Sequence, residues 1–552
     1  MRKTVALLLA CLMLFAVCAG CGKDKGPDSS SFPSVDNSTV FPDSSDLSEP
    51  VSDPNEPAST DTTTTQKQQN SGGTTPNGNA NGNTTTTTKN NLSNKGSVAV
   101  TNLTWDVMKG LGGAEAQAVS MRQSIVNAKD SLSVSGTKYY FSESGSDTND
   151  GKSANSPLKS LDRISRLPLK AGDAVLLERG SVFRIDSQIN LVSGVSYGAY
   201  GSGNKPEIWC SAKNYNEGWT KHSGNIWKIA YQYSNAGQLV ADDGKLVGNK
   251  VFSLNSVKKS GDFYCDDQGT LYLCSSKNPN TYKDIEIACP TSMMGGDSLS
   301  NITIENLTLK YAGCHGVGIS NGRGVTVRNC VFGWIGGMVQ RPGTGDNTRL
   351  GNAIEFFNNG NDLKIQNNWI YEAYDTGFTF QGTVGPFENI YVGGNLMEYC
   401  VMTIEMWCND HDTPISATIE NNVLRFANYG WGTMPDRIVR GGHIWMTWRL
   451  GDPYTNLKIA MNNNVFDCSY SYIFSYPWRK PTKGTMEFTY SGNVYYQRNH
   501  LGAADKVHFG SKKNWAFYWG ENAITVEANN QAELEAAVKA VDPNAKTIQW
   551  LG

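Results

Sequence analysis

The sequence predicts an all-β protein, a parallel β-helix (solenoid) with a small antiparallel β insertion and helical end caps. Three features predict it. Aligning "NITIENLTL", "GVTVRNCVF", "DLKIQNNWI", "SATIENNVL" and "LKIAMNNNVF" puts Asn306, Asn329, Asn367, Asn421 and Asn463 in one column, 23, 38, 54 and 42 residues apart, with Gly394 inside the longest gap. A second column holds Asn368, Asn395, Asn422, Asn464 and Asn493. Self-similarity of this kind marks stacked coils, and asparagines at the turns can hydrogen-bond from coil to coil. The third feature is a further strand after each Asn turn: "GVGIS", "AIEFF", "GFTFQ", "TIEMW", "HIWMT" and "YIFSY". Their alternation turns Val317/Ile319, Ile354/Phe356, Phe378/Phe380, Ile404/Met406, Ile444/Met446 and Ile473/Ser475 inward.

The remaining elements follow in chain order. Arg2 and Lys3 precede an apolar run from Val5 to Val17, too short to span a bilayer. The run ends in "VCAGC", which resembles a bacterial lipoprotein signal over residues 1–20 with Cys21 as the lipidated residue. An ordinary secretory signal cut nearby is the alternative, and either implies export. Residues 21–100 contain "TDTTTTQKQQNSGGTTPNGNANGNTTTTTKNN" and cannot build a core, so they read as a disordered tether. Together these segments predict a lipid anchor on the outer face of the cytoplasmic membrane, at the cell surface.

Residues 101–135 form a capping segment, with an amphipathic helix over 104–131 whose face is Ala118, Val119, Met121, Ile125 and Val126. The solenoid proper spans 136–510. Asp147, Asn149 and Asp150 before Gly151 suggest a calcium loop, but the other EF-hand ligands are missing and a hydrogen-bonded Asx turn fits better. Within 213–283 the pattern changes to short alternating strands joined by turns such as Asp243-Gly244, the antiparallel insertion. Residues 511–552 make a C-terminal cap, a helix over Gln531–Val541 with Ala532, Leu534, Ala537, Val538 and Val541 on its apolar side.

Composition narrows the function. A net charge of -3 gives no electrostatic case for nucleic acid. The 14 Trp and 24 Tyr provide flat rings suited to stacking on sugars, although most aromatics in any protein are core. Beyond Cys21 the nine cysteines (210, 265, 274, 289, 314, 330, 400, 408 and 468) cannot form a closed disulfide set and do not fall at metal-ligand spacings. They read as small buried apolar residues.

The outward column of the third repeat carries the chemistry. It reads Gly318, Glu355, Thr379, Glu405, Trp445 and Phe474. Neighbouring strands lie about 4.8 Å apart, so Glu355 and Glu405 should sit roughly 9.6 Å apart across Thr379. Asp375, at the turn before the central strand, is a third acid within reach. Long insertions at 333–351 and 428–442 occupy equivalent corners on either side and would wall a groove. They bring Arg341, Asp346, Arg349, Asp436, Arg437 and Arg440, and Trp407, His443, Trp445 and Trp448 lie close by. Ordinary ion pairs, Glu355 with Arg349 or Glu405 with Arg440, would also account for these charges.

The solenoid, the insertion and the "GNAIEFF…YDTGFTFQG…TIEMW" succession together resemble right-handed parallel β-helix carbohydrate-active proteins, over about residues 136–510. The architecture is similar to that of β-helix glycosidases with an inserted β-sandwich, such as certain β-xylosidases, which use two carboxylates. The resemblance implies a monomeric carbohydrate-active protein and leaves three activities open. A glycoside hydrolase would draw its acid, and its base or nucleophile, from Glu355, Asp375 and Glu405, with no cofactor. A polysaccharide lyase would use a basic residue, with Arg or Ca²⁺ neutralising a uronate. A glycan-binding or adhesive surface protein would use the groove without chemistry.

Overall fold

The computed structural model describes residues 108–345, 347–382, 385–408, 413–433, 441–447, 456–470, 472–476, 485–499, 516–519 and 526–552. Three parallel sheets wrap one core. The first contains β1 (Val317–Arg323), β2 (Ile354–Asn361), β3 (Thr376–Gly382), β4 (Met402–Cys408), β5 (Gly442–Thr447) and β6 (Tyr472–Tyr476), paired in that order. The second runs through Thr303–Glu305, Thr326–Arg328, Lys364–Gln366, Phe387–Gly393, Ile415–Glu420, Asn456–Asn462 and Thr485–Ser491. It joins the first where Gly360 and Asn361 of β2 pair with Phe387 and Glu388. The third extends from Val182–Arg184 to Thr547–Trp550 in ten strands among the described residues.

Each sheet turns alternate residues into the core. Val317, Ile354, Phe378, Ile404 and Ile444 stack in register on the first sheet; Ile304, Val327, Ile365, Val392, Ile419 and Met461 on the second; Leu309, Phe332, Ile370, Met397, Leu424 and Phe466 on the third. All are essentially solvent-free, and each such side chain contributes about 1.5–3 kcal/mol. The predicted register holds from β1 to β5 and slips by one residue at β6. There Ile444 pairs with Phe474 and Trp445 with Ser475, so Phe474 enters the core in place of an outward position.

Both asparagine columns form. Asn306, Asn329, Asn367, Asn421 and Asn463 sit at φ between 53° and 58°, in the left-handed region that asparagine tolerates. Gly394 and Gly492 take the same place in their coils, at φ 67° and 68°. In the second column each buried amide oxygen accepts the backbone N–H of the rung before it: Asn368 N–H donates to Asn395, Asn395 to Asn422, Asn422 to Asn464 and Asn464 to Asn493, at 2.9–3.1 Å. Each NH₂ also donates to a main-chain carbonyl of its own or an adjacent coil, as Asn422 does to Val392 O at 2.9 Å. Asp542, fully buried at the end of the C-terminal helix, closes the column by accepting from Asn493 at 3.0 Å.

That helix spans Gln531–Val541 and puts Leu534, Ala537 and Val538 into the core, while Ala532 is exposed. The N-terminal helix is shorter than predicted, Glu115–Val126, and lies along the third sheet against Trp369–Ala373 and Leu396–Glu398 rather than across the end. Its cause is an ionic network the helical pattern does not show. Arg122 pairs with Glu398, and Arg425 reaches Glu398 at 2.9 Å, Asp467 at 2.8 Å and Glu115 at 2.7 Å. Asp467 also accepts the backbone N–H of Gly113 and Ala114.

The insertion forms two small, mainly antiparallel sheets between Thr220 and Ile287 around their own core. In the 147–150 loop, Asp150 accepts the N–H of Lys152 in an Asx turn, and Asp147 accepts the N–H of Lys159 and Ser160 across the loop. Of the cysteines, Cys210, Cys274, Cys289, Cys314, Cys330, Cys400 and Cys468 are buried and Cys265 half-buried, all as free thiols. Replacing Asn422 by Ala orphans groups on two neighbouring coils and should lower unfolding free energy by about 2–4 kcal/mol, read by urea denaturation. The same change at the exposed Asn155 should cost well under 1 kcal/mol.

Candidate active site

The outward column on β2, β3 and β4 is Glu355, Thr379 and Glu405, directly paired. Two residues along the same face a second row reads Phe357, Gln381 and Trp407, and both aromatics are half-buried. An acid–hydroxyl–acid row therefore runs beside an aromatic–amide–aromatic row, and the site is built on strands rather than on loops.

Both acids are 9% exposed. The Glu355 Oε2 accepts from Asn352 Nδ2 at 2.5 Å and Gln381 Nε2 at 2.7 Å, and His315 Nε2 lies 3.5 Å away. These are N–H donors, which suit the ionised carboxylate. The Glu405 Oε2 lies 3.2 Å from the Thr379 hydroxyl and 3.3 Å from that of Thr376. A hydroxyl can donate or accept, so these partners suit either protonation state. Asp375 is half-buried at the start of β3; its N–H donates to Gly351 O and its C=O accepts from Met402.

His315 lies beside Glu355, on the coil before it. Burial opposes its charge, but Cys314, Glu355 and Asp375 outweigh burial and raise the imidazole to about 10. The Asn352 N–H also points at Nδ1 from 3.3 Å, which favours a bare Nδ1. That contact is long and therefore the weaker constraint, so the direction is toward imidazolium.

The first insertion forms a hairpin. Gln340 N–H donates to Thr348 O, Leu350 to Met338 O and Gly337 to Leu350 O. The β insertion holds its base: Asn235 bonds Val339 through both amide atoms, and Lys250 donates to Gly337 O at 3.0 Å and Ala236 O at 2.6 Å. Burial pulls Lys250 down to about 7. The described start of the second insertion meets the first at Tyr374. Trp431 packs against its ring at 5.2 Å, tilted by 49°, and bonds Glu372, and Arg349 lies over it at 4.3 Å.

Two residues expected to bind substrate are buried instead. Arg349 is 1% exposed, with its guanidinium over the ring of Tyr374. His443 is fully buried against Phe466, and neither ring nitrogen has a hydrogen-bond partner among the described residues. Arg341 is exposed on the hairpin, and Trp407 stands in the aromatic row. Trp445 pairs with Glu405 through its backbone, and its side chain lies outside the described residues. Asp346, Asp436, Arg437, Arg440, Trp448 and Cys21 also lie outside them. Asn352, Thr376, Gln381 and His315 were not singled out from the sequence. Gln381 and Phe357 were readable as the next outward position of the aligned strands. Nothing in the pattern marks His315.

Among the described residues no group of three or more His, Cys, Asp or Glu side chains is placed to hold a metal ion. No family model and no curated protein matches the chain. Solved structures are similar at low levels. A xylose complex of XylC matches at 12% identity and TM-score 0.36, over 66% of this chain and 68% of that one. A lacto-N-biosidase from Eubacterium ramulus matches at 16% and 0.33, over 70% and 67%. Pectate lyase Pel9A matches at 12% and 0.36, over 71% and 79%. Likenesses this weak bear on no residue and no reaction.

Burial pushes His443 down to about 3, so it is neutral in the folded protein at ordinary pH. Unfolded, it protonates below about 6.5, so its contribution is present above that pH and is lost as pH falls toward 3. Unfolding free energy should decline by up to about 1.4 kcal/mol per pH unit from this group alone. His443→Phe should flatten that slope between pH 6.5 and 4, measured by denaturant titration at each pH.

Proposed function

We propose that the protein is a carbohydrate-active enzyme, a glycoside hydrolase with Glu355 and Glu405 as its carboxylate pair. The supporting observation is their placement on one outward column two strands apart, with Thr379 between them and an aromatic row alongside. Two strand intervals, about 9.6 Å, leave room for a water between carboxyl groups at the roughly 6.5–9.5 Å separation of an inverting enzyme.

The N–H donors around Glu355 fit it for the base and leave the acid to its partner. Glu405 serves as the acid and gives its proton to the glycosidic oxygen as that bond to the anomeric carbon breaks. Glu355, among N–H donors, serves as the base and takes a proton from the water whose oxygen bonds the same carbon. Phe357 and Trp407 offer faces for the sugar rings. His315 and Asp375 position and balance Glu355. The reaction as proposed needs no cofactor.

A lyase is less well supported. Lys364 and Lys458 lie on the second sheet, and Arg349, one of the expected groove cations, is buried at Tyr374. A monomer tethered outside the cell, reaching polymers that cannot enter it, is the setting this reading takes from the signal-like N-terminus.

Residues 101–552 challenged with plant and microbial glycans should release reducing ends without an unsaturated product, with or without chelator. Glu355→Gln and Glu405→Gln should each lower kcat by about 10²–10⁴-fold while circular dichroism stays unchanged. A product absorbing in the ultraviolet as an unsaturated uronate, or near wild-type turnover in either variant, would overturn the assignment.

A further inference from the structure

The second sheet carries a trough that has no part in the carboxylate site. Its register sets three outward rows across successive coils. The middle row reads Tyr391, Thr418, Ala460 and Thr489. On one side Ser416, Lys458 and Glu487 pair in line, and on the other Glu420 pairs with Asn462. After Tyr391 the middle row is short, and the rows flanking it are longer. A concavity of about 460 Å³ crosses these coils between the middle row and the Ser416–Lys458–Glu487 row.

Tyr391 closes one end as a fixed platform. A Cβ at Gly393 would lie 2.4–2.5 Å from its ring and hydroxyl, so the ring lies down along its own strand over a residue with no side chain. Its hydroxyl donates to Glu420 at 2.9 Å, which holds it there. The held ring lines the trough.

We propose that this trough binds a neutral glycan chain, as a second carbohydrate site separate from the Glu355–Glu405 groove. The four strands are spaced about 4.8 Å apart, close to the roughly 5 Å advance per sugar of an extended pyranose chain, so about three sugars fit. Ring stacking falls to Tyr391, and hydroxyls of Thr418 and Thr489 face the sugar hydroxyls. The charges flanking it are of both signs, Lys458 paired with Glu487 at 3.8 Å and Glu420 beyond, so the trough offers no net cationic surface for a uronate polymer. The inference does not depend on the hydrolase assignment.

The test is affinity electrophoresis of residues 101–552 in gels holding soluble xylan, mannan or mixed-linkage glucan, with polygalacturonate as the anionic control. Retardation is expected in at least one neutral gel. Tyr391→Ala and Ala460→Arg, the latter filling the trough from a site with no folding role, should each weaken it at least fivefold and leave turnover of a short oligosaccharide unchanged. Glu355→Gln and Glu405→Gln should leave retardation intact, and its loss in the trough variants with turnover unchanged separates this site from the catalytic one. The proposal is overturned by wild-type retardation in both trough variants, by its loss in the Glu→Gln variants alone, by absence in every neutral gel, or by stronger retardation in polygalacturonate.

Discussion

Everything outward on this protein depends on the asparagine ladder that holds its coils in step. At the corner between the second and third sheets the chain turns on a single left-handed residue, then drops an asparagine into the interior. That amide binds the backbone of the coil before it, where no water is present to compensate a lost bond. A coil displaced by one residue would leave several buried groups without partners and would also turn its apolar side chains outward. The placement of Glu355 and Glu405 on the same outward column, fifty positions apart in the chain, is held by this ladder together with the pairing of β2, β3 and β4.

The other faces are organised by charge. Arg425 and Glu398, both without solvent exposure, bind the N-terminal helix through Arg122 and Glu115 and its approach through Asp467. Buried pairs of this kind add little net stability over apolar packing but are expensive to break singly. They give the helix one position along the third sheet. On the site's side, Asn235 and Lys250 make the β insertion a support for the first groove wall.

The sequence carried the repeat, the inward columns and the pair of acids, because a period-two pattern and a stacked turn leave a direct trace in residue order. Its failures share one cause. Arg349 and His443 were placed in the groove by proximity to the insertions, yet one folds under Tyr374 and the other into the core beside Phe466. Alignment assigns a residue to a column but cannot say whether a corner residue leans out or folds back. The slip at β6 has a similar origin, since Ile473 and Phe474 are both apolar and either satisfies the pattern. Likewise an Arg within a helix looks solvent-facing until its partner, Glu398, is placed opposite by the fold.

The single-residue corner also bears on how such a chain can change. A turn made by one residue at fixed φ, with its neighbour wedged in the ladder, has no slack to admit extra residues. The corner before the first sheet has no ladder, and the long excursions at 333–351 and 428–442 both leave the coil there. Length variation is thus channelled to the rim of the cleft, and a lineage could remodel what it grips by altering those two excursions while the spacing of its acids stays untouched.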